Sequence, residues 1–432
     1  MKLLIGGSPC THWSIAQTKN RETEASGIGW ELFLNYRIAR DKYKPDYFLY
    51  ENNKSMSPAI RTQITAELGV EPVLINSALV SAQNRQRLYW VGKREPDGTY
   101  SQVPVEQPED RGVLLRDILE TGIAWQEKAY NLTTRCCGAI PSDTLKRHRH
   151  TMVAEPVRMR DILKTSTSKK GYALDPTHAE VLNMNPSGHG MKSVTLCGNG
   201  GGLGAKTGLY AVPVAGRVVG RRINEQGHRD DYNEAIPHFQ YFEVNEEPQK
   251  TNCLTTVQKD NMIAVPVIPD GKGQFVIKAA GGKEIPVYEV RGGRIPIKEK
   301  TYPIKLRDGF YIIRKLTVTE CKRLQTVPEE YVFPVSNSQA YKMLGNGWTV
   351  DVIAHIMSHF TGLTEGPVEV LSMYDGMSCG HIALDKLGAT VATYYATEID
   401  KYAIQTTQHN YPDTIQLGDA FQVRNDDWRV KE

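Results

Sequence analysis

The chain has 432 residues, of which 40% are hydrophobic and 23% are charged, and its formal net charge is +3. This length allows two or three domains, and the composition excludes disordered and fibrous proteins. No stretch approaches the roughly 18 consecutive apolar residues of a membrane span, and the apolar start of the chain ends too soon for a signal peptide. We therefore expect a soluble cytoplasmic protein that does not bind membranes.

The seven cysteines are an odd number, and none belongs to a C-x-x-C pair. This pattern argues against a disulfide framework and against a structural zinc site, so we expect no metal. Most of the cysteines are expected to be small buried side chains. Cys10 differs, because it follows a turn of glycine, serine and proline directly after a predicted strand.

The charge is unevenly distributed along the chain. Counting Lys and Arg against Asp and Glu gives 0 for residues 1–110, +8 for residues 111–310 and −5 for residues 311–432. A basic middle is typical of a segment that binds a polyanion, although a solvated surface gives the same count.

From residue 1 to about 95, short apolar runs alternate with helical patterns. Such alternation predicts a parallel α/β sheet. The predicted strands cover residues 3–5, 47–50 and 72–75, and the predicted helices cover residues 30–40 and 58–68.

Between about residues 96 and 310 this alternation is absent. Gly and Pro are frequent, the apolar runs are short, and degenerate Thr-containing segments recur before Pro-Val pairs. We predict an irregular β-rich insert with duplicated elements. Its basic clusters include Arg147, Arg149, Arg221 and Arg222.

The α/β pattern returns at about residue 311. Capping signals and apolar spacing predict helices at 319–324 and 348–360, and a linker follows at 361–367. Beyond the linker we predict a strand, a glycine turn, a helix and a second strand, at residues 368–373, 374–379, 380–387 and 391–397.

Strand ends in the first part of the chain carry reactive or charged side chains. Cys10 follows the first strand, Glu51 ends the second, and Arg85 and Arg87 come after the third. Because α/β sheets bind ligands at the carboxyl ends of their strands, these side chains form a candidate catalytic set. The set contains a thiol, a carboxyl group that could transfer a proton and arginines that could bind carbonyl or phosphate oxygens. Taken singly, Glu51 also fits a helix N-cap and the arginines fit surface ion pairs.

A second candidate set lies near the C-terminus. The strand at 368–373 runs into a glycine turn, and the next strand ends about 20 residues later at Glu398. In nucleotide-binding sheets this is the position of the acid that binds the ribose hydroxyls. The following strand is expected to end near Asp419. Turn and acids together predict an adenosine site.

These segments resemble the motifs of DNA cytosine-5 methyltransferases. The stretch Gly7-Ser8-Pro9-Cys10 is similar to the nucleophile loop of that family, Glu51-Asn52 to its Glu-Asn pair, and Gln83-x-Arg85-x-Arg87 to its arginine motif. Residues 314–328 resemble the segment after the target-recognition region, residues 344–350 the last motif, and the tail the cofactor motifs. Some positions, including Asp375-Gly376, are similar to the eukaryotic de novo branch.

The order of the motifs is unusual for that family, which normally begins with the cofactor motifs. Here the nucleophile motif comes first and the cofactor motifs come last. The resemblance therefore implies a Rossmann-like, S-adenosylmethionine-dependent methyltransferase fold that is circularly permuted. It also implies three regions, namely the first part of the catalytic domain (1–95), a target-recognition domain (96–310) and the second part of the catalytic domain (311–432).

The resemblance further implies a mechanism. Cys10 would add to C6 of a cytosine flipped out of double-stranded DNA, Glu51 would hold a proton at N3, and Arg87, helped by Arg85, would bind O2. The residues implied to bind S-adenosylmethionine are Tyr374, Asp375, Gly376, Met377, Ser378, Cys379, Glu398, Ile399, Asp419, Asn346 and Trp348. The residues implied to contact DNA are Ser14, Gln17, Arg147, Arg149, Arg221 and Arg222.

Alternatives stay open at this point. An RNA cytosine-5 methyltransferase is one, although the basic insert is long for RNA-directed relatives. An inactive DNA-binding regulator is another, although Cys10, Glu51 and Arg87 are all present. A donor with a group larger than methyl is a third, since Lys54 and Asn346 lie near the donor motifs. We expect a monomer in a bacterial or phage-infected cell, associated with the nucleoid, with or without a partner restriction enzyme.

Overall fold

The computed structural model describes residues 1–13, 21–134, 138–157, 214–221, 235, 239–244, 262–264, 275–278, 284–297 and 300–430. The chain divides into two compact units, one made of Met1–Ala154 with Arg314–Glu432 and the other of Glu155–Ile313. The boundaries predicted from the sequence fall at 95/96 and 310/311 instead. By their contacts, residues 96–154 therefore belong to the first unit, while the recognition role of residues 96–310 stays a prediction.

The strands in chain order are β1 (Lys2–Gly6), β2 (Tyr47–Asn53), β3 (Pro72–Asn76), β4 (Gln86–Arg94), β5 (Tyr100–Gln102), β6 (Met152–Pro156), β7 (Val214–Arg221), β8 (Phe239–Val244), β9 (Met262–Ala264), β10 (Phe275–Lys278), β11 (Glu284–Val290), β12 (Arg294–Ile297), β13 (Lys300–Pro303), β14 (Gly309–Lys315), β15 (Val368–Met373), β16 (Val391–Thr397) and β17 (Ile415–Gly418). The helices are α1 (Gly27–Tyr43), α2 (Pro58–Leu68), α3 (Pro141–Arg147), α4 (Val318–Leu324), α5 (Asn337–Asn346), α6 (Val350–Met357), α7 (Cys379–Leu387) and α8 (Lys401–Asn410). Short 3-10 turns cover Cys10–His12, Ser77–Leu79, Leu115–Ile118 and Ala420–Arg424.

A mixed eight-stranded sheet organises the first unit. Its order is β17-β16-β15-β1-β2-β4-β3, with β5 paired to β4. The strands from β17 to β2 pair in parallel, which confirms the α/β class predicted from the sequence. β4 runs antiparallel to all three of its partners, β2, β3 and β5, so the expectation of a purely parallel sheet is wrong at this strand.

The sequence of β4 explains why it was not predicted as a strand. Residues 88–91 read Leu-Tyr-Trp-Val, and all four side chains are buried. Because both faces of a central strand are covered, apolar residues occupy consecutive positions and the alternating pattern of a half-buried strand is lost. The basic residues at its start also make this segment resemble a loop.

The sheet separates two hydrophobic clusters, and successive residues of β1 point to opposite clusters. Leu3 and Ile5 pack in a cluster that includes Ile353 of α6, whereas Leu4 packs in a cluster that includes Phe33 of α1. None of these five side chains has exposed surface. With both faces covered, the polar functional groups of this sheet lie at the strand ends.

Local signals fix the ends of α2, which has the predicted bounds. Ser57 caps the helix by accepting a hydrogen bond from the backbone N–H of Ile60 (3.3 Å), and Pro58 occupies the first turn. Gly69 ends the helix with a left-handed φ of 76°.

Other helices depart from the prediction. The first helix extends beyond the predicted residues 30–40 at both ends, and the helices α5 and α8 were not predicted. The predicted helix at 348–360 starts at Val350, so Trp348 precedes it. This difference matters because Trp348 lies in the candidate site.

The strand pairs of the second unit, in the part that the structure describes, are antiparallel. β7 pairs with β8 and with β9, β10 pairs with β11, and β11 pairs with β14. β12 and β13 form a hairpin in which Ile295 and Ile297 are buried. The described part of this unit is therefore built from β-structure.

Candidate active site

The segment that leads to Cys10 is held by the end of β2. After β1 ends, the buried Ser8 forms a hydrogen bond with the hydroxyl of Tyr50 (2.6 Å). The amide of Asn52 donates to the backbone carbonyl of Ser8 (3.2 Å) and to the Tyr50 hydroxyl (3.1 Å). The backbone at Cys10 then enters the short turn Cys10–His12. Two residues next to Glu51 thus hold the loop that precedes the predicted nucleophile.

Glu51 is the next polar side chain at this end of the sheet, and it is only 8% exposed. Its Oε2 accepts a hydrogen bond from the indole Nε1 of Trp348 (3.0 Å), and its Oε1 pairs with Nε of Arg87 (3.0 Å). Gly7 makes this arrangement fit, because a Cβ at that position would lie 2.8 Å from Oε2 of Glu51. Both oxygens of the carboxyl group therefore have a cationic or N–H donor.

The two predicted arginines have different surroundings. Arg87, opposite Asn53 in the β2–β4 pairing, contacts Glu51. Arg85 is 3% exposed, and its guanidinium donates to the backbone carbonyls of Gly347 (2.8 Å) and Leu132 (3.2 Å). The structure therefore places Arg87 in contact with Glu51, the candidate catalytic carboxyl group. Arg85 instead forms hydrogen bonds to the segment that contains Gly347.

The turn after β15 has an unusual backbone. Tyr374, Gly376 and Ser378 have left-handed φ values of 62°, 61° and 57°. A carboxylate oxygen of Glu398, at the end of β16, accepts from the backbone N–H of Gly376 (2.9 Å). Asp375 accepts from the Tyr394 hydroxyl (2.8 Å), and burial raises the pKa of its carboxyl group. The predicted cofactor turn and the predicted ribose acid are thus joined directly.

Two further predicted cofactor residues lie at the ends of neighbouring strands. Ile399 follows Glu398, and its side chain is 75% exposed, which is unusual for an isoleucine. Asp419 follows β17, is exposed, and accepts from the backbone N–H of Phe421 (2.9 Å). Ile399 and the two acids thus follow the ends of adjacent strands, and the Ile399 side chain is left uncovered.

The segment from Asn346 to Trp348 connects the two sets of residues. A Cβ on Gly347 would lie 3.2 Å from Sγ of Cys379 and 3.5 Å from Sδ of Met377, so the segment packs closely on the turn after β15. The backbone N–H of Trp348 donates to the thiol of Cys379, while the indole N–H of Trp348 donates to Glu51. Asn346, the first residue of this segment and the last of α5, is exposed.

Cys379 is not a candidate nucleophile. It is 4% exposed, and burial raises the pKa of its thiol to about 12, so the reactive thiolate form is scarce at neutral pH. Its contacts with the Gly347 segment are those of a packing residue within the cofactor turn.

The predicted DNA-contacting residues are only partly described. Arg147 ends α3 and Arg149 follows it, and both are exposed. Arg221 is the last residue of β7. Ser14, Gln17 and Arg222 lie outside the described residues.

The indole contact to Glu51 was missed in the sequence, where Trp348 was assigned to the cofactor alone. The motif around residues 344–350 marked this tryptophan as functional, but no local signal could pair it with a residue 297 positions away. The same holds for Tyr50, which reads as one more apolar residue of a buried strand.

Among the described residues, no group of three or more His, Cys, Asp or Glu side chains is placed to hold a metal ion. Nor does any described helix have both the length and the apolar character that crossing a membrane requires.

Comparison with known families identifies the class of enzyme. The family model described as "C-5 cytosine-specific DNA methylase" matches residues 1–361. Since the match spans most of the chain, the protein belongs to this family and is a DNA cytosine-5 methyltransferase. The resemblance inferred from the motifs is thereby confirmed.

Named relatives include phage and plant proteins. The orphan methyltransferase M.SPRI of Bacillus phage SPR is 26% identical, and the alignment covers 82% of this chain and 81% of the relative. M.Rho11sI of Bacillus phage rho11s is 25% identical, with 82% and 83% covered. The DNA (cytosine-5)-methyltransferase DRM2 of Oryza sativa subsp. japonica is 26% identical over 111 residues, which cover 26% of this chain and 18% of the relative.

Proposed function

We propose that the protein transfers a methyl group from S-adenosylmethionine to C5 of cytosine in a specific double-stranded DNA sequence. The observation that carries the proposal is the position of Glu51. Its carboxyl group lies between Arg87 and Trp348, at the end of the strand next to the one that leads to Cys10. Trp348 in turn contacts the turn after β15. Nucleophile segment, proton-handling group and cofactor turn therefore lie at the same end of one sheet.

The chemistry explains why these groups are needed. C5 of cytosine is too weak a nucleophile to attack a sulfonium methyl group directly. Addition of the Cys10 thiolate to C6 forms a carbon–sulfur bond and makes C5 carbanion-like, provided that the charge on the ring is neutralised. In this proposal Glu51 protonates N3 and Arg87 binds O2. After methyl transfer, loss of the C5 proton breaks the bond between C6 and Cys10.

The residues around the turn after β15 fit S-adenosylmethionine, which supplies the methyl group. We assign the ribose hydroxyls to Glu398, the adenine face to Ile399 and the adenine amino group to Asp419. The 75% exposure of Ile399 supports this assignment, because an uncovered apolar side chain gains from a ring packed on it. Asp375, Gly376 and the backbone near Asn346 would surround the methionine part.

The topology supports a circularly permuted catalytic domain. β15 pairs in parallel with β1, so the turn that follows it lies beside the Cys10 segment although the two are separated by most of the chain. The usual motif order of the family would place them in succession. We infer that the same sheet is built here from a rearranged sequence.

We assign DNA reading to residues 96–310. This assignment rests on the charge of +8 in residues 111–310 and on the exposed Arg147 and Arg149. A base inside a duplex is inaccessible to the groups at the sheet end, so the cytosine must be flipped out before reaction.

The deciding experiment uses DNA that contains 5-fluorocytosine at the methylated site, because a C5 fluorine cannot leave as a proton does. Wild type should form a covalent complex with this DNA in the presence of S-adenosylmethionine, detected as a shifted band under denaturing conditions. Cys10→Ala should form none and should show no methyl transfer. Cys321→Ala removes a different, buried thiol and should behave as wild type in both assays. Trapping or methyl transfer by Cys10→Ala would overturn the mechanism.

A further inference from the structure

The indole N–H of Trp348 donates a hydrogen bond to the carboxyl group of Glu51, which is the group assigned to proton transfer. We propose that Trp348 is a positioning residue whose indole N–H holds Oε2 of Glu51, so that the proton delivered to the base resides on Oε1. The proposal rests on the proposed function, in which Glu51 protonates N3 of cytosine.

The geometry supplies a donor to each oxygen of the carboxylate. Trp348 Nε1 lies 3.0 Å from Oε2, and Arg87 Nε lies 3.0 Å from Oε1. Neither an indole N–H nor a guanidinium can accept a hydrogen bond, so both groups can only donate to Glu51. In this arrangement each oxygen of the Glu51 carboxyl group accepts from one donor.

The two donors differ in what they do during the reaction. In this proposal Arg87, which is assigned to O2 of the cytosine, turns from Oε1 to the base when the base enters. The indole N–H of Trp348 has no role assigned to it on the base, and in this proposal it stays on Oε2. Because the hydroxyl oxygen of a carboxylic acid is a weaker acceptor than its carbonyl oxygen, a proton arriving at Glu51 settles on Oε1. Trp348 therefore selects the oxygen that faces the position vacated by Arg87.

Trp348 is itself held in place by buried contacts. The preceding carbonyl, of Gly347, accepts hydrogen bonds from Arg85 (2.8 Å) and from Gln325 (3.1 Å). The backbone N–H of Trp348 donates to the thiol of Cys379, the first residue of α7. Trp348 thus links the turn after β15, which is assigned to S-adenosylmethionine, to the carboxyl group of Glu51, which is assigned to the proton.

A double-mutant cycle tests this link. Trp348→Phe keeps an aromatic ring but loses the N–H, and it should lower kcat by about 10- to 100-fold, the range expected for a hydrogen bond to a charged group. The KM for S-adenosylmethionine and the Kd for DNA should change little. If Trp348 acts through Glu51, adding Trp348→Phe to Glu51→Gln should lower kcat little further than Glu51→Gln alone.

A matched control uses another side chain that donates a hydrogen bond to the turn after β15. The hydroxyl of Tyr331 donates to the carbonyl of Met377 (2.7 Å), and no contact joins it to Glu51 in the described part of the chain. Tyr331→Phe should therefore combine additively with Glu51→Gln, its effect being the same in both backgrounds.

The outcomes separate this proposal from the proposed function. Normal kcat in Trp348→Phe, or full additivity with Glu51→Gln, would overturn the positioning role. Normal kcat in Glu51→Gln would instead overturn the assignment of Glu51 itself. If Trp348→Phe does not fold, indole hydrogen exchange can be compared between wild type and Glu51→Ala. One of the six tryptophan N–H groups should lose protection, and unchanged protection would also contradict the link.

Discussion

Arg85 and Arg87 stand two positions apart in the sequence, yet their contacts give them different tasks. The guanidinium of Arg87 contacts the carboxyl group of Glu51. Arg85 is buried on backbone carbonyls and on Asn131. We infer that Arg87 binds the base, while Arg85 supports the segment that carries Trp348. On this inference, the joint role that the motif implies is divided: Arg87 takes part in the chemistry and Arg85 in positioning.

Substitution by methionine should distinguish the two arginines. Arg85→Met leaves buried carbonyls without their donor, so the free energy of unfolding should fall by roughly 3 kcal/mol. Arg87→Met keeps Glu51 hydrogen-bonded to Trp348, so its unfolding should change less while kcat falls. Urea unfolding and steady-state methyl transfer measure both quantities for each variant. A stable but inactive Arg85→Met, together with an unstable but active Arg87→Met, would contradict this division.

At the scale of single elements, α7 carries an unusual histidine. The ring of His381 is stacked between those of Tyr394 and Tyr411, with centroid distances of 4.6 and 3.8 Å. Its Nδ1 is buried and has no hydrogen-bond partner among the described residues. Burial lowers the pKa of His381, although the nearby Asp385 opposes the shift. The folded state therefore favours the neutral ring.

The sign of the resulting pH dependence follows from linkage. Unfolded histidine takes up a proton near pH 6.5, whereas folded His381 resists protonation until lower pH. The free energy of unfolding should therefore fall as the pH drops below about 6.5, by at most about 1.4 kcal/mol per pH unit from this residue.

Urea unfolding at pH 7.5 and pH 5.5 tests this expectation in wild type and His381→Phe. Phenylalanine keeps a ring between the two tyrosines but does not titrate. The stability of the variant relative to wild type should therefore rise on acidification. Other groups, including Asp375 with its raised pKa, are present in both proteins and cancel in the comparison. An unchanged difference between the two pH values would show that His381 does not contribute.

The elements that could be predicted from the sequence are those with local signals. Ser57, Pro58 and Gly69 define α2 within one segment, and the strand at 368–373 is a bounded apolar run. β4 could not be found in this way, because its identity depends on being covered by β2 and β3. The candidate site shows the same limit. Its residues were marked by motifs, but the contact from Trp348 to Glu51 arises only when distant segments meet.

At the scale of the whole molecule, residues near both ends of the described chain contact the C-terminal end of α1. The amino group of Met1 donates to the carbonyl of Pro367 (3.0 Å). The ammonium of Lys2 lies 5.2 Å from the ring centroid of Tyr43, and the neighbouring Lys42 donates to the carbonyl of Asn425 (2.7 Å). We therefore expect that a linker can connect the last residues to Met1.

This proximity predicts that the order of segments can be changed without changing the fold. A gene in which residues 367–432 precede Met1 through a short linker should give a folded enzyme with methyl transfer near the wild-type level. The new ends fall at 366/367, outside the β1–β15 pairing, and closing a longer linker costs little extra free energy. Circular dichroism melting and methyl transfer on DNA measure the result for several linker lengths.

A control permutant identifies the reason for success. If the chain is opened inside β15, between Val370 and Leu371, the strand that pairs with both β1 and β16 is divided, and the product should be unstable. Failure of the 366/367 permutant at every linker length would contradict a sheet whose parts are interchangeable in order. Equal success of both permutants would contradict the role of β15 as the strand that joins the cofactor turn to the Cys10 segment.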